Sequence, residues 1–196
     1  MGYVELETTR PIWDRFLWVS PLVVIGTVEE DGTPDLAPKH MVTPLGWDNY
    51  FGFVCTPRHA TFRNAVREGA FTVSYPQPDQ LLHASLTAAP RCEDGRKASL
   101  LGLPIRGAQA VPGPLIEGAY LQLECRLERV VEGFGENGLV VGKIVAARVL
   151  EMATRSLDRE DQCLVAEHPL LVYLAPGQFA RIGESQSFPF PAGFTR

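Results

Sequence analysis

The sequence is poor in lysine and has no concentrated run of positive charge. Lys39, Lys97 and Lys143 are its only lysines, and they are spread over a chain of 196 residues with a formal net charge of −5. Nonspecific nucleic-acid binding depends on a basic face that neutralises phosphates. The composition therefore argues against a nucleic-acid partner.

Long apolar segments are also missing. The longest apolar stretch, Phe16 to Gly26, is interrupted by Ser20 and Pro21 and is too short to span a bilayer. The first ten residues include charged side chains and lack the apolar core of a secretory signal. We therefore expect a cytoplasmic protein without a membrane partner.

Cysteine is sparse and unclustered. It occurs at positions 55, 92, 125 and 163, so neither a zinc knuckle nor a Cys-x-x-Cys redox pair is present, and no metal site is predicted. Cys55 and Cys125 lie in apolar, strand-like runs, where a buried thiol is expected. The chain also lacks Gly-x-Ser-x-Gly, His-Glu-x-x-His and Walker motifs, which leaves hydrolase, metalloprotease and NTP-driven functions unsupported.

The first third of the chain has the pattern of a strand meander followed by a helix. Apolar and β-branched residues predict strands at Pro21–Val28, Leu36–Thr43 and Tyr50–Cys55, separated by turns. A helix is predicted over Ala60–Arg67, and Gly69 is suited to the position just after its end.

The second half contains the clearest strand signal. Apolar and polar residues alternate from Ala119 to Val131, which predicts a half-buried strand with Glu124 on its solvent face. Leu139–Leu150 is predicted as the partner strand and Pro169–Leu174 as a core strand. Residues 92–118 are rich in Gly and Pro and are predicted to form a long excursion.

Together these elements predict one domain over residues 1–196, mainly β with attached helices. Six or seven strands at hairpin spacing, with two or three helices, suggest a small β-barrel. The tail from about residue 184 contains three phenylalanines, so we expect it to lie against the body or a partner subunit.

The segment from Ala37 to Asn64 carries the chemical signal. It is predicted to end at a helix start, where backbone N–H groups are unpaired and carry a partial positive charge. Hydroxyl, imidazole and guanidinium side chains crowd this point, namely Thr56, Arg58, His59, Thr61 and Arg63. The pattern predicts a phosphate-bearing cofactor held at a strand end.

Five stretches together resemble the flavin reductase-like domain family, the FMN-binding split barrels that include flavoredoxin. They read PLVVIGTVEEDGTPDLAPKHMVTPLG, FVCTPRHATFRN, AYLQLECRLERVVE, LVVGKIVAARV and EHPLLVYLAPGQFARIG, and the match runs in register from about Ile12 to Gly183. The resemblance implies a six-stranded antiparallel split β-barrel. It also implies a homodimer with flavin near the subunit interface.

The resemblance further implies which residues meet the cofactor. The segment that runs beside the isoalloxazine ring would be Lys39, His40, Met41, Val42 and Thr43. The loop that holds the FMN phosphate would be Cys55, Thr56, Pro57, Arg58, His59, Ala60 and Thr61, followed by Arg63 and Asn64. Many family members have a small Ser or Asn where His40 stands, so this chain departs from the family pattern at the flavin edge.

Each of these residues also has a plainer interpretation. Lys39 could serve as the cation that stabilises reduced flavin, or it could point to solvent. Thr61 and Arg58 could bind phosphate, or they could act as a helix cap and a solvated charge. His40 and His168 are the candidate catalytic residues, with packing and a turn role as their alternatives.

The leading functional prediction is an NAD(P)H:flavin reductase that passes hydride from NADH or NADPH to N5 of FMN. Reduced flavin would then serve an acceptor, a partner monooxygenase or a redox protein. The first alternative is a flavoredoxin-like FMN electron carrier without a nicotinamide site. The second is a split-barrel binding module without catalysis.

Overall fold

The computed structural model describes residues 2–156 and 158–194, which form a curled antiparallel sheet with short helices. The strands are β1 Trp18–Pro21, β2 Val23–Val28, β3 Pro34–Lys39, β4 Val42–Pro44, β5 Tyr50–Cys55, β6 Ala70–Tyr75, β7 Ile105–Gly107, β8 Pro114–Ile116, β9 Leu121–Phe134, β10 Asn137–Val149, β11 Leu170–Ala175 and β12 Gln178–Ile182. The α-helices are α1 Ala60–Glu68, α2 Leu81–Leu86 and α3 Asp161–Glu167, and short 3₁₀ helices cover Pro78–Gln80, Ala98–Gly102 and Glu151–Ala153.

The main sheet has seven strands in the order β3-β2-β6-β9-β10-β5-β4. Its two edge strands, β3 and β4, follow each other in the chain with only His40 and Met41 between them. Since three residue steps span at most about 11 Å, the opposite edges of the sheet must approach each other at this point. The connection therefore curls the sheet into a split barrel, which confirms the predicted fold class.

The strand predicted over Leu36–Thr43 is wrong in one respect, because it is divided into β3 and β4. β3 pairs with β2, whereas β4 pairs with β5 on the far side of the sheet. This division accounts for seven strands where six were expected. A single continuous strand could not reach both neighbours.

The inside of the barrel is filled by a cluster of large apolar side chains. Val42 on one edge and Val23 near the other belong to this cluster, as only a curled sheet allows. Phe53 and Phe71 lie at its centre, with ring centroids 5.0 Å apart in an edge-to-face arrangement. A Cβ atom at Gly142 would lie 2.6 Å from the Phe71 ring, so the strand opposite must present glycine there.

Residues 98–116 of the predicted excursion cover the outside of β2. Leu100, Leu103 and Ile116 pack against Leu22 and Val24 in a second apolar cluster. The other face of β2 contributes Val23 and Ile25 to the barrel interior. β2 is thus buried on both faces, which explains its continuous apolar sequence.

The prediction that Glu124 lies on a solvated face is wrong. Glu124 is 2% exposed, and its carboxylate accepts hydrogen bonds from the backbone N–H groups of Gln109 at 2.9 Å, Ala110, and Val111 at 3.3 Å. The excursion folds over the outer face of β9 near its start, so Gln122 and Glu124 are buried, whereas Arg126 and Glu128 of the same face stay exposed. Periodicity identified the strand, but it could not reveal this second layer.

A buried carboxylate fastens the excursion to the barrel. Asp35 on β3 has a side chain only 1% exposed, and it lies 2.9 Å from the Arg91 guanidinium and 3.1 Å from the Lys97 ammonium. Lys97 also donates to the carbonyl oxygens of Leu36 at 2.7 Å and Thr87 at 3.0 Å. These contacts fix the chain between Thr87 and Lys97 against β3.

Two smaller sheets and the C-terminal tail complete the described structure. β1, β11 and β12 form a separate three-stranded sheet, and β7 pairs with β8. Residues 185–188 of the predicted tail border a cavity next to α3, while its last two residues lie outside the described part of the chain. No helix in the described residues is long and apolar enough to cross a membrane.

We predict that Asp35→Asn destabilises the fold by about 2–3 kcal/mol, measured by urea unfolding. The neutral amide leaves Lys97 without its counter-charge and leaves Arg91 with Glu29 as its remaining anionic partner. Breaking a fully buried pair costs about 3–5 kcal/mol. The lower figure is expected because the Arg91 side chain is 30% exposed. Asp31→Asn removes an exposed carboxylate that pairs with Arg96 and serves as the control. Equal unfolding midpoints for the two variants would show that Asp35 does not anchor the excursion.

Candidate functional site

The two segments predicted to meet the cofactor lie side by side. The Val42–Phe53 pair continues into a hydrogen bond from the Val54 N–H to the Met41 carbonyl oxygen at 2.9 Å. The β3–β4 connection therefore runs along the end of β5, where Cys55 begins the predicted phosphate loop. The structure thus brings segment 39–43 next to segment 55–61.

The loop from Cys55 to Thr61 turns directly into α1. His59 is the N-cap residue and, within the described part of the chain, makes no side-chain capping hydrogen bond. Its Nδ1 lies 3.9 Å from the Cys55 sulfur, and its backbone N–H donates to the Thr56 carbonyl oxygen at 3.0 Å. The start of α1 consequently keeps backbone N–H groups that no side-chain cap satisfies, a local geometry that suits an anion.

Positive charge converges on this loop from several parts of the fold. Burial lowers the pKa of His59, and four nearby cations lower it further, in the order Lys39, Arg58, Arg63 and Lys97. These cations come from β3, the loop, α1 and the excursion. The neutral imidazole of His59 therefore lies in a positive field.

His40 is also held neutral. Burial lowers its pKa first, and the charge of Lys39 lowers it further. Its ring centroid lies 4.6 Å from that of Tyr173 and 5.6 Å from that of Trp18. A neutral imidazole packed between two aromatic rings can donate one hydrogen bond and accept another.

Thr61 and Asn64 face the interior. The Thr61 hydroxyl donates to the Asp35 carboxylate at 3.4 Å. It makes no capping hydrogen bond at the start of α1, so it does not serve as the helix cap that was its alternative role. Asn64 donates to the Thr27 hydroxyl at 3.4 Å and accepts from Arg67 at 2.8 Å. Both side chains are buried beneath the loop, and their role as phosphate ligands stays a prediction.

Arg58 in the loop and Arg63 in the first turn of α1 are both exposed. The Arg58 guanidinium pairs with Glu136, and both side chains are exposed. Arg63 donates to the Arg58 carbonyl oxygen. An exposed ion pair contributes little to stability, so Arg58 can exchange its partner for a ligand at small cost.

A cavity of about 400 Å³ borders the β3–β4 connection, and we call it the aromatic cavity. Its walls include Trp13, Trp18, Ser20, His40 and Met41. Val42 also lines it, so three residues of the predicted ring segment face this space. The same connection borders the cavity through His40 and Met41 and adjoins the start of the basic loop through the Met41 carbonyl oxygen.

The two candidate catalytic histidines do not come together. His40 lines the aromatic cavity, whereas His168 lines a separate cavity of about 680 Å³ with Tyr120, Leu164 and Phe188. Within the described residues, no hydrogen bond, ion pair or ring contact links His168 to segment 39–43. Only His40 lies in the segment predicted to meet the flavin ring.

Sequence reasoning missed two contributors to this region. Lys97 of the excursion lowers the pKa of His59 in the loop, and Ser20 of β1 borders the cavity beside the connection. Their positions depend on pairing between distant segments, such as Trp18 with Ala175 and Ser20 with Tyr173. No local signal in the sequence marks them.

A sequence model of the family described as "Flavin reductase like domain" matches residues 17–181. A curated relative, an uncharacterized protein of Methanothermobacter thermautotrophicus, is 28% identical over 135 residues. That match covers 66% of this chain and 63% of the relative, so less than two thirds of the relative's length is spanned.

Solved structures share the fold over almost the whole chain. Flavoredoxin of Desulfovibrio vulgaris (Miyazaki F) has a TM-score of 0.77 and 20% identity, with 97% of this chain and 100% of the other covered. Nitrilotriacetate monooxygenase component B from Bacillus cereus has a TM-score of 0.80 and 18% identity, with 96% and 100% covered. At these identities the likeness establishes the fold.

We predict that Lys39→Met raises the pKa of both His40 and His59, because one positive charge near each ring is removed. Proton NMR titration of the imidazole signals measures the change, and Lys143→Met on β10 is the control. Because folding lowers both pKa values, the wild-type chain loses stability as the pH falls below about 6.5, and the variant loses less. Unchanged titration midpoints would place the Lys39 ammonium in bulk solvent.

Proposed function

Because this chain belongs to the flavin reductase-like domain family, we propose that it binds FMN and transfers hydride from NADH or NADPH to the flavin. The match over residues 17–181 supports flavin binding and oxidoreductase chemistry in general terms. The observation that carries the specific proposal is the meeting of a basic, uncapped helix start with the β3–β4 connection.

The loop from Cys55 to Thr61 is the proposed phosphate site. The positive field that lowers the pKa of His59 favours a dianionic phosphate at the same place. Arg58 is exposed and can make a two-point contact with phosphate oxygens. The residues present therefore fit the anionic end of FMN, with Arg63 and the α1 backbone N–H groups beside it.

The segment from Lys39 to Thr43 is the proposed ring site. Bound FMN would supply the hydride-accepting chemistry of its isoalloxazine ring. Lys39 would place a cation where negative charge develops on reduction, and the lowering of the pKa of His40 and His59 by its charge supports this role. His40 and Met41 would border the ring edge and limit its contact with water.

We further propose a homodimer that works with a second redox component. Large apolar side chains stay exposed near the ring segment, namely Phe16, Leu17, Val19 and Met41. Such a patch is typical of a surface covered by another protein. The structural likeness to a monooxygenase component B suggests a monooxygenase or another redox protein as the acceptor of reduced flavin.

The test is a visible spectrum of the purified protein, an FMN titration, and a steady-state assay with NADH and NADPH. FMN binding with NAD(P)H oxidation is the expected result. Tightly bound FMN that only dithionite reduces would assign an electron carrier in place of the reductase. Absence of FMN binding would overturn the proposal and leave a binding module.

We predict that Arg58→Ala combined with Thr61→Ala weakens FMN binding at least about 10-fold, since the charge-assisted contact of Arg58, worth about 1.5–3 kcal/mol, is lost. The Thr61 hydroxyl donates to Asp35 and would add a second contact only by turning toward the phosphate. Riboflavin has no phosphate, so its affinity should not change. Isothermal titration calorimetry with both ligands separates loss of the phosphate site from general damage to the fold.

The matched control for this pair is Arg129→Ala with Thr154→Ala, two positions outside the loop and the connection. The control should keep wild-type affinity for both ligands. An equal loss of riboflavin and FMN binding in the Arg58/Thr61 variant would place the phosphate elsewhere.

A further inference from the structure

The first residues of the chain form an arm that packs little against the body. We call residues 2–7 the N-terminal arm, and nearly every residue in it is exposed. Tyr3 is fully exposed and Val4 is 86% exposed. In the part of the chain that the structure describes, the arm makes side-chain hydrogen bonds only through Glu7, to the turn that follows it. The body therefore leaves the apolar side chains of the arm in water, which is unfavourable.

The arm has the sequence of a strand without a strand to pair with. In a strand, Val4 and Leu6 would share one face. Tyr3, Glu5 and Glu7 would share the other, which is the alternation of a half-buried strand. Among the described residues, the arm belongs to none of the three sheets. A single strand is not stable in water, so this pattern requires a partner outside the arm.

A free sheet edge with a matching pattern lies at β12. This strand, Gln178–Ile182, is the last one in the order β1-β11-β12, so over residues 2–156 and 158–194 it pairs only with β11. Its other edge presents unpaired backbone N–H and C=O groups. Phe179 and Arg181 are exposed, whereas Ala180 and Ile182 on the opposite face are half-buried. The edge thus offers one polar and one apolar face to a further strand.

The two faces of the arm fit the two faces of β12. When Glu5 is placed opposite Arg181, the apolar face of the arm lies beside the half-buried face of β12, whichever way the added strand runs. Glu5 and Arg181 are both exposed, and within the described chain neither has an ion-pair partner. One register therefore pairs the backbone, buries the apolar side chains and joins two unpaired charges.

A second copy of the chain is the occupant that this geometry favours. The apolar patch assigned to the homodimer includes Phe16, Leu17 and Val19, and the arm continues from it. A copy seated on that patch brings its own β12 close, because β12 lies two strand spacings, about 10 Å, from β1 in the same sheet. Residues 8–17 can span up to about 35 Å, so the arm can reach that edge.

We propose that the N-terminal arm of each copy adds a strand to the free edge of β12 in the partner subunit. The inference rests on the homodimer of the proposed function and specifies one of its contacts. Two-fold symmetry gives two arm–edge pairs in each dimer, each with Glu5 facing Arg181 of the partner subunit. Trp13 lies between the arm and β1 and lines the aromatic cavity, so an arm fixed at its far end also restrains this wall beside the ring segment.

Deletion of residues 2–7 tests the contact without disturbing the barrel, because no hydrogen bond or ion pair joins them to the described residues beyond Arg10. Sedimentation equilibrium should show a dimer for the full chain and a dissociation constant at least about 10-fold higher for the deletion variant. Hydrogen exchange followed by mass spectrometry should show amides of residues 178–182 protected in the full-length dimer and exposed after the deletion.

A charge exchange tests the register. Glu5→Arg and Arg181→Glu should each weaken the dimer about three- to ten-fold, since two exposed ion pairs per dimer become pairs of like charge. The double variant should recover most of the loss, because the ion pair forms again with its signs reversed. Glu132→Arg and Arg126→Glu, at exposed positions on β9, are the matched controls and should leave the dimer unchanged.

Three results would count against the inference. A dimer that is insensitive to the deletion, or a double variant no tighter than the single ones, would leave the homodimer standing and overturn the arm exchange. Protection of β12 that persists in diluted, monomeric protein would assign the arm to its own sheet. A full chain that stays monomeric would overturn the homodimer and the exchange together. FMN binding is measured separately and does not depend on these outcomes.

Discussion

The two-residue connection between β3 and β4 is the constraint on which the rest of the structure depends. It joins strands that lie at opposite edges of the seven-stranded sheet, so it closes the barrel and shapes its open side. His40 and Met41 cannot pair as strand residues with both edges at once. Both residues instead border the aromatic cavity, so the segment predicted to meet the flavin ring lies at the point where the barrel closes.

The buried Asp35 carboxylate is a second constraint, and it determines where two of the cations lie. Asp35 lies on the strand that leads into this connection, and its buried carboxylate holds Arg91 and Lys97 from the excursion. The same carboxylate accepts a hydrogen bond from Thr61 on α1. One anion thus links β3, the excursion and the helix that follows the basic loop. Its burial is offset by these partners, and the Lys97 charge held here contributes, least among four cations, to the lowered pKa of His59.

The site divides into a charged end and an uncharged end. Around the loop, four cations act on one neutral histidine, whereas no charged side chain lines the aromatic cavity within the described chain. Lys39 lies between the two and influences a histidine at each end. A ligand with an anionic tail and a flat, neutral ring matches this gradient.

The sequence by itself determined the features that depend on neighbours along the chain. These include α1 with Gly69 in the left-handed conformation at φ 62°, the strand around Phe53, and the cluster of polar residues from Thr56 to Arg63. Backbone preferences and side-chain periodicity act over a few residues, so they can be read locally.

Only the tertiary structure decided which distant segments meet. It divided the strand predicted over Leu36–Thr43, buried Glu124 under the excursion and paired Lys97 with Asp35. It also placed Ser20 and His40 at one cavity and His168 at another. These outcomes depend on packing and charge pairing between residues that are tens of positions apart. Such contacts leave no periodic pattern in the sequence, because their two partners lie in separate segments of the chain.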